Sequence, residues 1–106
     1  MSILITAATA AQAYKLKAKL GNNEKILLSD YLELPQPMVK SGAMIQTPDP
    51  KNASFAHLML TLALDNQITK IYPLRAIELT ALQEAQTLFA EFDIELCTPE
   101  NEFITD

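Results

Sequence analysis

Apolar residues fall along the chain in short, nearly continuous runs that are separated by longer segments of mixed character. The short runs are SILIT (2–6), KILLSDY (25–31), AMIQT (43–47), ITKIYP (68–73) and DIELCT (93–98). Runs of this length, rich in β-branched and other apolar residues, predict strands rather than helices. Because they are nearly continuous rather than alternating, they are typical of strands buried on both faces.

Three longer segments carry apolar residues at helical spacing. They are AQAYKLKAKL (11–20), SFAHLMLTLALDN (54–66) and AIELTALQEAQTLFAEF (76–92). The first places Ala13, Leu16 and Leu20 on one face, and Gly21 follows it at the position where glycine favours the end of a helix. We therefore predict three helices, each placed between two predicted strands.

The second and third predicted helices each carry an apolar stripe. The stripe of the second helix consists of Phe55, Leu58, Met59, Leu62 and Ala63. The stripe of the third helix consists of Ala81, Ala85, Leu88, Phe89 and Phe92. Such spacing predicts that one helix face packs against a sheet. Leu60 and Leu64 widen the apolar surface of the second helix, and because proteins rarely expose large apolar patches we expect a homodimer.

The order of these elements predicts an α/β fold, a small three-layer Rossmann-like domain. Strands that alternate with helices favour a parallel sheet covered on both faces. Right-handed crossovers then give five strands in the order 3-2-1-4-5, with the reversal between the first and fourth strands. The proline-punctuated segment 32–42 is predicted to be irregular, and residues 99–106 to be a tail. With no linker-like segment, residues 1–106 are predicted to form a single domain.

Composition favours a globular cytoplasmic protein. The apolar fraction is 49% and the charged fraction 20%, as in ordinary globular domains. The single cysteine, Cys97, cannot form an intrachain disulfide, which fits a reducing compartment. No basic residue precedes the apolar N-terminal stretch, so we expect no secretory signal. No apolar run has the length of a membrane-spanning helix, so we expect no membrane partner.

The charge of the chain argues against nucleic-acid binding. The formal net charge is −5, and the seven lysines and one arginine are spread along the sequence. Affinity for phosphates depends on accumulated positive charge, so we expect no nucleic-acid partner. No spacing of cysteine and histidine predicts a metal site, and the dinucleotide fingerprint is absent, so we predict no cofactor.

Candidate chemistry lies where the predicted strands end. In an open parallel sheet, ligands bind beyond the carboxyl ends of the strands at the point where strand order reverses. The candidate ligand-binding residues are Thr6, Ala7, Ala8, Thr9, Asp30, Pro73, Arg75 and Glu78. We predict no catalytic residue. His57 has no evident partner and is predicted to lie on the surface of its helix or at the boundary of the core. Cys97 is predicted to be a small core residue.

Each main candidate has two interpretations. The segment TAAQ (9–12) has the spacing of a capping box, whereas the free N–H groups of the same helix start could hold an anion. Alanine does not readily adopt the positive φ of a glycine-rich loop, which favours the capping box. Asp30 fits a ribose-binding carboxylate or a solvated turn residue. Arg75 fits bidentate binding of a carboxylate or phosphate, or an i, i+3 pair with Glu78.

Four segments in order have a family resemblance. They are ILITAATAAQAYKLKAKL (3–20), KILLSDYLELPQP (25–37), TPDPKNASFAHLMLTLAL (47–64) and ITKIYPLRAIELTALQEAQTLFAEFDIEL (68–96). Together they resemble the pre-ATP-grasp (biotin carboxylase N-terminal-like) domain of the ATP-grasp superfamily, in particular of carbamoyl-phosphate-synthetase-like ligases. The resemblance covers nearly the whole chain and depends on order and spacing more than on a strict motif.

The resemblance implies roles for several candidates. Residues 6–9 correspond to the family's small-residue turn, without its glycine. Asp30 corresponds to the acid after the second strand, Pro73 to the proline that ends the fourth, and Glu78 approximately to the acid that follows. In the family, ATP, magnesium and most catalytic residues belong to later domains, and this chain ends where those domains should begin. The resemblance therefore implies a scaffold without the catalytic half.

Two functions are consistent with these observations. The first is a non-catalytic domain that acts as a protein-interaction or accessory module, with a separate ATP-grasp subunit, another protein or a second copy as its partner. The alternative is a domain that binds a small molecule, a nucleotide or a carboxylate-bearing metabolite, at the carboxyl ends of the strands.

Overall fold

A five-stranded sheet forms the centre of the protein, and a computed structural model describes residues 2–21 and 23–105. The strands are β1 (Ser2–Ile5), β2 (Lys25–Asp30), β3 (Met44–Gln46), β4 (Ile68–Tyr72) and β5 (Glu95–Leu96). The helices are α1 (Ala11–Leu20), α2 (Gln36–Lys40), α3 (Phe55–Asp65), α4 (Ala76–Gln83), α5 (Gln86–Glu91) and a 3-10 helix (Asn101–Phe103). The strand order is β3-β2-β1-β4-β5 and every pairing is parallel, which confirms the predicted fold class and order.

Strand β1 occupies the middle of the sheet because three of its four residues, 3–5, are apolar and suited to burial. Its residues are buried throughout, and Ile5 pairs with Leu28 of β2 on one side and Tyr72 of β4 on the other. A strand covered on both faces requires such a run of apolar side chains. Strand order reverses at β1 and β4, so the carboxyl ends of these two strands form the switch point.

The sheet separates two apolar clusters. The cluster on the side of α1 contains Ile3, Ile5, Ala7, Ala8, Ala13, Leu16, Leu28, Leu34, Met44, Leu74 and Phe103. The cluster on the side of α3, α4 and α5 contains Leu4, Leu27, Phe55, Met59, Leu60, Ala63, Ile68, Ile71, Leu82, Phe89 and Ile94. Successive β1 residues therefore contribute to opposite clusters, as the two-residue period of a strand requires. The result is the predicted three-layer arrangement.

The segment 76–92 forms two helices, so the prediction of one continuous helix is wrong. Helix α4 ends at Gln83, and the Ala85 N–H donates to the Leu82 carbonyl at 2.9 Å in a tight turn before α5. The interruption contains neither proline nor glycine, so the sequence pattern carried no signal for it. Phe92, predicted to lie in the buried stripe, is 46% exposed after α5.

The face of α3 that packs on the sheet is rotated from the predicted stripe. Leu58 was expected in the core but is 42% exposed, whereas Leu60 is buried. The patch invoked for a homodimer therefore loses Leu60 and retains Leu64, which is exposed. Self-association itself stays a prediction. None of the helices in the described ranges is long and apolar enough to cross a membrane.

Two segments near β3 and β5 also differ from prediction. The stretch expected to be irregular contains α2, because Pro35 precedes the helix and Pro37 lies in its first turn, where proline is tolerated. Strand β5 is shorter than the predicted 93–98. Asp93 adopts a φ of 60°, a left-handed conformation that delays the extended backbone.

Residues 99–105 of the predicted tail are an ordered part of the fold. We call residues 97–105 the C-terminal segment. Its Phe103 is buried in the cluster on the α1 side, and its Thr105 forms an isolated parallel bridge with Arg75. The Thr105 N–H donates to the Leu74 carbonyl at 2.8 Å, and the Ala76 N–H donates to the Thr105 carbonyl at 3.0 Å. This segment therefore lies beside the switch point.

Candidate functional site

The polar candidates meet at the carboxyl ends of β1, β2 and β4. Thr6 and Thr9 follow β1, Asp30 is the last residue of β2, and Arg75 and Glu78 follow β4. All except Thr9 are buried, with between 0% and 7% of their surface exposed. We call these five residues the strand-end cluster. The switch-point rule thus identified side chains that share one region of the fold.

Asp30 and Arg75 form a buried, bidentate ion pair at the centre of the cluster. The Arg75 Nε donates to Asp30 Oδ1 at 3.1 Å, and Nη2 donates to Oδ2 at 2.8 Å. The Asp30 side chain is fully buried and that of Arg75 is 8% exposed. Two parallel N–H···O bonds fix the orientation of both planar groups. The pair therefore ties the end of β2 to the start of α4.

Backbone and hydroxyl donors complete the coordination of Asp30. Thr9 donates to Oδ2 from its N–H at 3.0 Å and from its hydroxyl at 2.7 Å. The N–H groups of Tyr31 and Leu32 donate to Oδ1 at 2.9 and 3.3 Å. Asp30 therefore accepts six hydrogen bonds. It holds together the turn after β1, the turn after β2 and the start of α4.

The charge state of this pair follows from its partners. Burial pushes the pKa of Asp30 upward, but hydrogen bonds from Arg75, Thr9 and Leu32 outweigh it and leave that pKa below its usual range. Burial acts against the charged form of Arg75, but Asp30 raises the pKa of Arg75 above its ordinary value. Both groups are therefore charged at neutral pH. Arg75 also lies over the Tyr31 ring, at 5.2 Å from its centroid.

The geometry corrects the interpretations of Asp30 and Arg75. Asp30 is not a solvated turn residue, because none of its surface is exposed. Arg75 does bind a carboxylate in bidentate fashion, but the carboxylate is that of Asp30 and not a ligand. The ion pair that the structure describes for Arg75 is with Asp30, and Glu78, three residues later, acts on Arg75 through its charge.

The turn between β1 and α1 is not a capping box. The residue that caps α1 is Ala10, and no side chain caps the helix. The Thr9 hydroxyl donates to Asp30 and accepts a hydrogen bond from Arg75 Nη2 at 3.1 Å. Ala7 adopts a φ of 59°, which is the left-handed conformation. The sequence predicts that alanine avoids this conformation, and that prediction was the argument against an anion-binding loop in this turn. This conformation costs a residue other than glycine about 1–2 kcal/mol.

Glu78 is the unsatisfied member of the strand-end cluster. Its side chain is fully buried, and both carboxylate oxygens lack a hydrogen-bond partner among the described residues. Burial raises the pKa of Glu78 to about 7, although Thr6 and the positive charge of Arg75 oppose that rise. Accepting the Leu74 N–H at 2.8 Å leaves the Thr6 hydroxyl its own proton, with which Thr6 favours the ionised form of Glu78. Glu78 therefore exchanges a proton near neutral pH.

The remaining candidates contribute packing. Ala7, Ala8 and Pro73 are buried, and both alanines belong to the cluster on the α1 side. His57 lies exposed on α3, as predicted. Cys97 is half-buried just beyond β5, and burial raises the pKa of its thiol, which disfavours the nucleophilic thiolate. Among the described residues, no group of three or more His, Cys, Asp or Glu could hold a metal ion.

The C-terminal segment is the part of this region that sequence reasoning missed. Its backbone bonds flank Arg75 through Leu74 and Ala76. The available signal was Phe103, a large apolar residue in an otherwise polar stretch. A buried aromatic residue anchors a segment that its polar neighbours alone would leave in solvent.

Comparison with protein families and with curated proteins adds no relative. No protein-family model matches the chain, and no curated protein matches it. The class that the structure defines is an α/β domain with an all-parallel five-stranded sheet and a buried polar cluster at its strand ends. The resemblance to the pre-ATP-grasp domain stays a prediction from the order and spacing of the elements.

Proposed function

We propose that the protein is a non-catalytic α/β domain of the cytoplasm that acts as a protein-interaction or accessory module. The observation that carries this proposal is the use of Arg75, the arginine at the switch point, as an internal tie. Three of its donor bonds go to Asp30 and Thr9. An arginine that recognises a substrate carboxylate or phosphate must direct its planar donors to that substrate.

The packing around the cluster supports the same function. The small residues after β1 fill the core instead of lining an open loop, and the C-terminal segment runs alongside Arg75. The resemblance to the pre-ATP-grasp domain also favours a scaffold, because in that family the ATP-binding and catalytic residues belong to other domains. A separate ATP-grasp subunit is therefore one partner that we propose.

Exposed apolar side chains on the α3–α5 side support contact with another protein. Leu64 and Phe92 are each 46% exposed. Both line a surface groove of about 410 Å³ together with Ala63 and Ile68. Exposed apolar surface of this kind is more often found where proteins meet. The same feature supports the proposed homodimer.

The test is to find out what the intact chain associates with. Light scattering on the purified protein measures self-association, and a tagged full-length chain expressed in its own host captures partners. The double variant Leu64→Ser, Phe92→Ser is expected to weaken any homodimer. Tyr14→Ser changes an equally exposed aromatic residue on the opposite layer and serves as the control. A chain that stays monomeric and captures no stoichiometric partner contradicts the proposed function.

A second candidate function is the binding of a small molecule at the strand ends. It is favoured by Glu78, whose buried carboxylate lacks partners among the described residues, and by the left-handed conformation of Ala7. Unsatisfied buried groups and strained backbone accumulate at binding sites. The ligand classes are a nucleotide or a carboxylate-bearing metabolite.

A thermal-shift panel of nucleotides and small carboxylates tests this second candidate. A ligand present at 100 times its dissociation constant adds about 2.7 kcal/mol of stability. That gain should fall in Thr9→Val, which alters the edge of the cluster, and persist in His57→Ala, which changes an exposed residue of α3. The absence of any shift across the panel would remove this candidate.

A further inference from the structure

Among the described residues no strand pairs with the outer side of β5, which is therefore an open strand edge. β5 is the last strand in the sheet order and pairs with β4. The Cys97 N–H donates to the Ile71 carbonyl at 2.8 Å, so Cys97 directs its backbone groups toward β4. In a parallel ladder the direction alternates, and the N–H and C=O of Leu96 therefore point away from β4. Outward backbone groups of this kind can pair with another strand.

A groove of about 330 Å³ lies beside this edge. Its lining consists of Gln86, Ala90, Asp93, Ile94, Glu95 and Leu96. Ile94 is buried and Leu96 is half-buried, so part of the groove lining is apolar. Asp93 and Glu95 are exposed. Strand addition combines backbone hydrogen bonds at an edge with a recess for alternate side chains. Both parts are present next to β5.

The charged residues in this part of the chain are all acidic. Residues 76–106 contain eight aspartates and glutamates and no lysine or arginine. Asp93 and Glu95 line the groove, and Glu91 lies two residues before Asp93 in the sequence. Lys70, opposite Glu95 in the ladder, offsets part of their charge. Two copies that paired through this edge would bring two acidic segments together, which like-charge repulsion disfavours. The charge instead complements a basic partner.

We propose that the open edge of β5 binds an extended segment of a partner protein in which lysine or arginine alternates with apolar residues. The outward backbone groups of Leu96 bond to the segment, the groove receives an apolar side chain, and Asp93 and Glu95 pair with the cations. This inference depends on the proposed interaction function and specifies its surface and the chemistry of the partner.

The probe is a pair of synthetic peptides titrated into the isotope-labelled full chain, with backbone amide shifts as the readout. The basic peptide is acetyl-Lys-Ile-Lys-Val-Lys-amide, and its acidic twin has glutamate in place of each lysine. We expect shifts centred on residues 93–98 with the basic peptide and binding at least about tenfold weaker with the acidic twin. Binding of the basic peptide should weaken as salt rises, because exposed charges are screened.

Two variants and one control locate the binding surface. Leu96→Pro removes the outward N–H while the Cys97 bond to β4 remains, and proline is tolerated at such an edge position. Glu95→Lys reverses an exposed charge beside the groove, and Glu33→Lys makes the same reversal near the end of β2. Leu96→Pro and Glu95→Lys should each weaken the basic peptide several-fold, while Glu33→Lys should not. If Leu96→Pro does not fold, Glu95→Lys alone tests whether the peptide binds beside β5.

The outcomes separate this inference from the proposed function. Equal binding of both peptides, shifts centred on the Leu64 and Phe92 groove, or no shift at saturating peptide would overturn the β5 site. A host partner that binds Glu95→Lys as well as it binds the unmodified chain would leave the interaction function standing and remove this surface. A chain that stays monomeric and captures no partner would contradict the interaction function, whatever the peptides show.

Discussion

Asp30, at the end of β2, and Glu78, in the first turn of α4, are both carboxylates with no exposed surface. Asp30 accepts six hydrogen bonds and its pKa is lowered. Glu78 has no hydrogen-bond partner among the described residues, and its pKa is raised to about 7. Burial raises the pKa of both carboxyl groups, so the difference between the two pKa values comes from their hydrogen-bond partners. Arg75 forms its described ion pair with Asp30, whereas Glu78 is neutralised by binding a proton.

The largest expected effect comes from removing the partner of Asp30. Arg75→Ala leaves a buried carboxylate without its counter-charge, and such a change costs about 3–5 kcal/mol. Denaturant unfolding at pH 7 measures the loss, and Lys51→Ala, at an exposed position, is the control. In this variant Asp30 should come to resemble Glu78, with a raised pKa. A loss below about 1 kcal/mol would show that the pair contributes little.

The second prediction concerns the proton on Glu78. Its folded-state pKa, about 7, lies above the ordinary value of 4.5, so the folded chain retains a proton that the unfolded chain has lost. The stability from this group is fully present below about pH 4.5 and declines as pH rises through about 7, by about 3 kcal/mol in total. Unfolding free energies between pH 5 and pH 8 measure the decline.

Glu78→Gln removes this titration and makes the comparison sharper. The variant should be more stable than the unmodified chain at pH 8, and its stability should change much less between pH 5 and pH 8. The same slope in both proteins would mean that another group titrates over this range. His57→Ala, on the surface of α3, is the control for the chain's one histidine.

A smaller effect is expected from the hydroxyl that supports Asp30. Thr9→Val removes the 2.7 Å bond to Asp30 and the bond from Arg75, at a cost of about 1–2 kcal/mol. The stability that Asp30 supplies is present above its unfolded pKa, near 4, and is lost as pH falls through its lowered folded pKa. The variant should therefore lose this stability at a higher pH in an acid titration.

A matched threonine provides the control for Thr9. Thr61→Val changes an exposed helical residue whose hydroxyl bonds to the His57 carbonyl of its own helix. We expect that substitution to leave the acid titration unchanged. Equal behaviour of the two variants would show that the Thr9 hydroxyl does not stabilise the ionised form of Asp30.

The smallest effect concerns the turn between β1 and α1. Ala7→Gly relieves the left-handed conformation at a φ of 59°, and the expected gain is below about 1 kcal/mol because glycine also gains freedom in the unfolded chain. Ala8→Gly changes the adjacent buried residue, whose φ is not positive, and should destabilise. Thermal unfolding of both variants shows whether Ala7→Gly stabilises the fold and Ala8→Gly destabilises it. Destabilisation by Ala7→Gly would contradict this account of the turn.

The fold was predictable because its signals are local. Apolar runs defined the strands, helical spacing defined the helices, and the handedness of crossovers then fixed the strand order. The region of the strand-end cluster followed from the same order. The interruption between α4 and α5 was not predictable, because no residue in it marks a break.

The pairings within the strand-end cluster were not predictable from the sequence, because they join residues that are far apart in the chain. Sequence spacing proposed partners three residues away, Gln12 for Thr9 and Glu78 for Arg75. Both side chains instead bind Asp30, 21 residues from Thr9 and 45 residues from Arg75. Contacts at such separations depend on how the strands assemble, and a single sequence holds no periodic pattern for them.

The central position of β1 has a consequence for folding kinetics. Ile5 is among the first residues of the chain to be synthesised, yet its neighbour on one side, Tyr72 of β4, follows 67 positions later. Sheets that depend on such distant pairings fold slowly compared with domains built from local contacts. Asp30 and Arg75 can meet only after β1, β2 and β4 are in register, so we expect this pair to become buried late in folding.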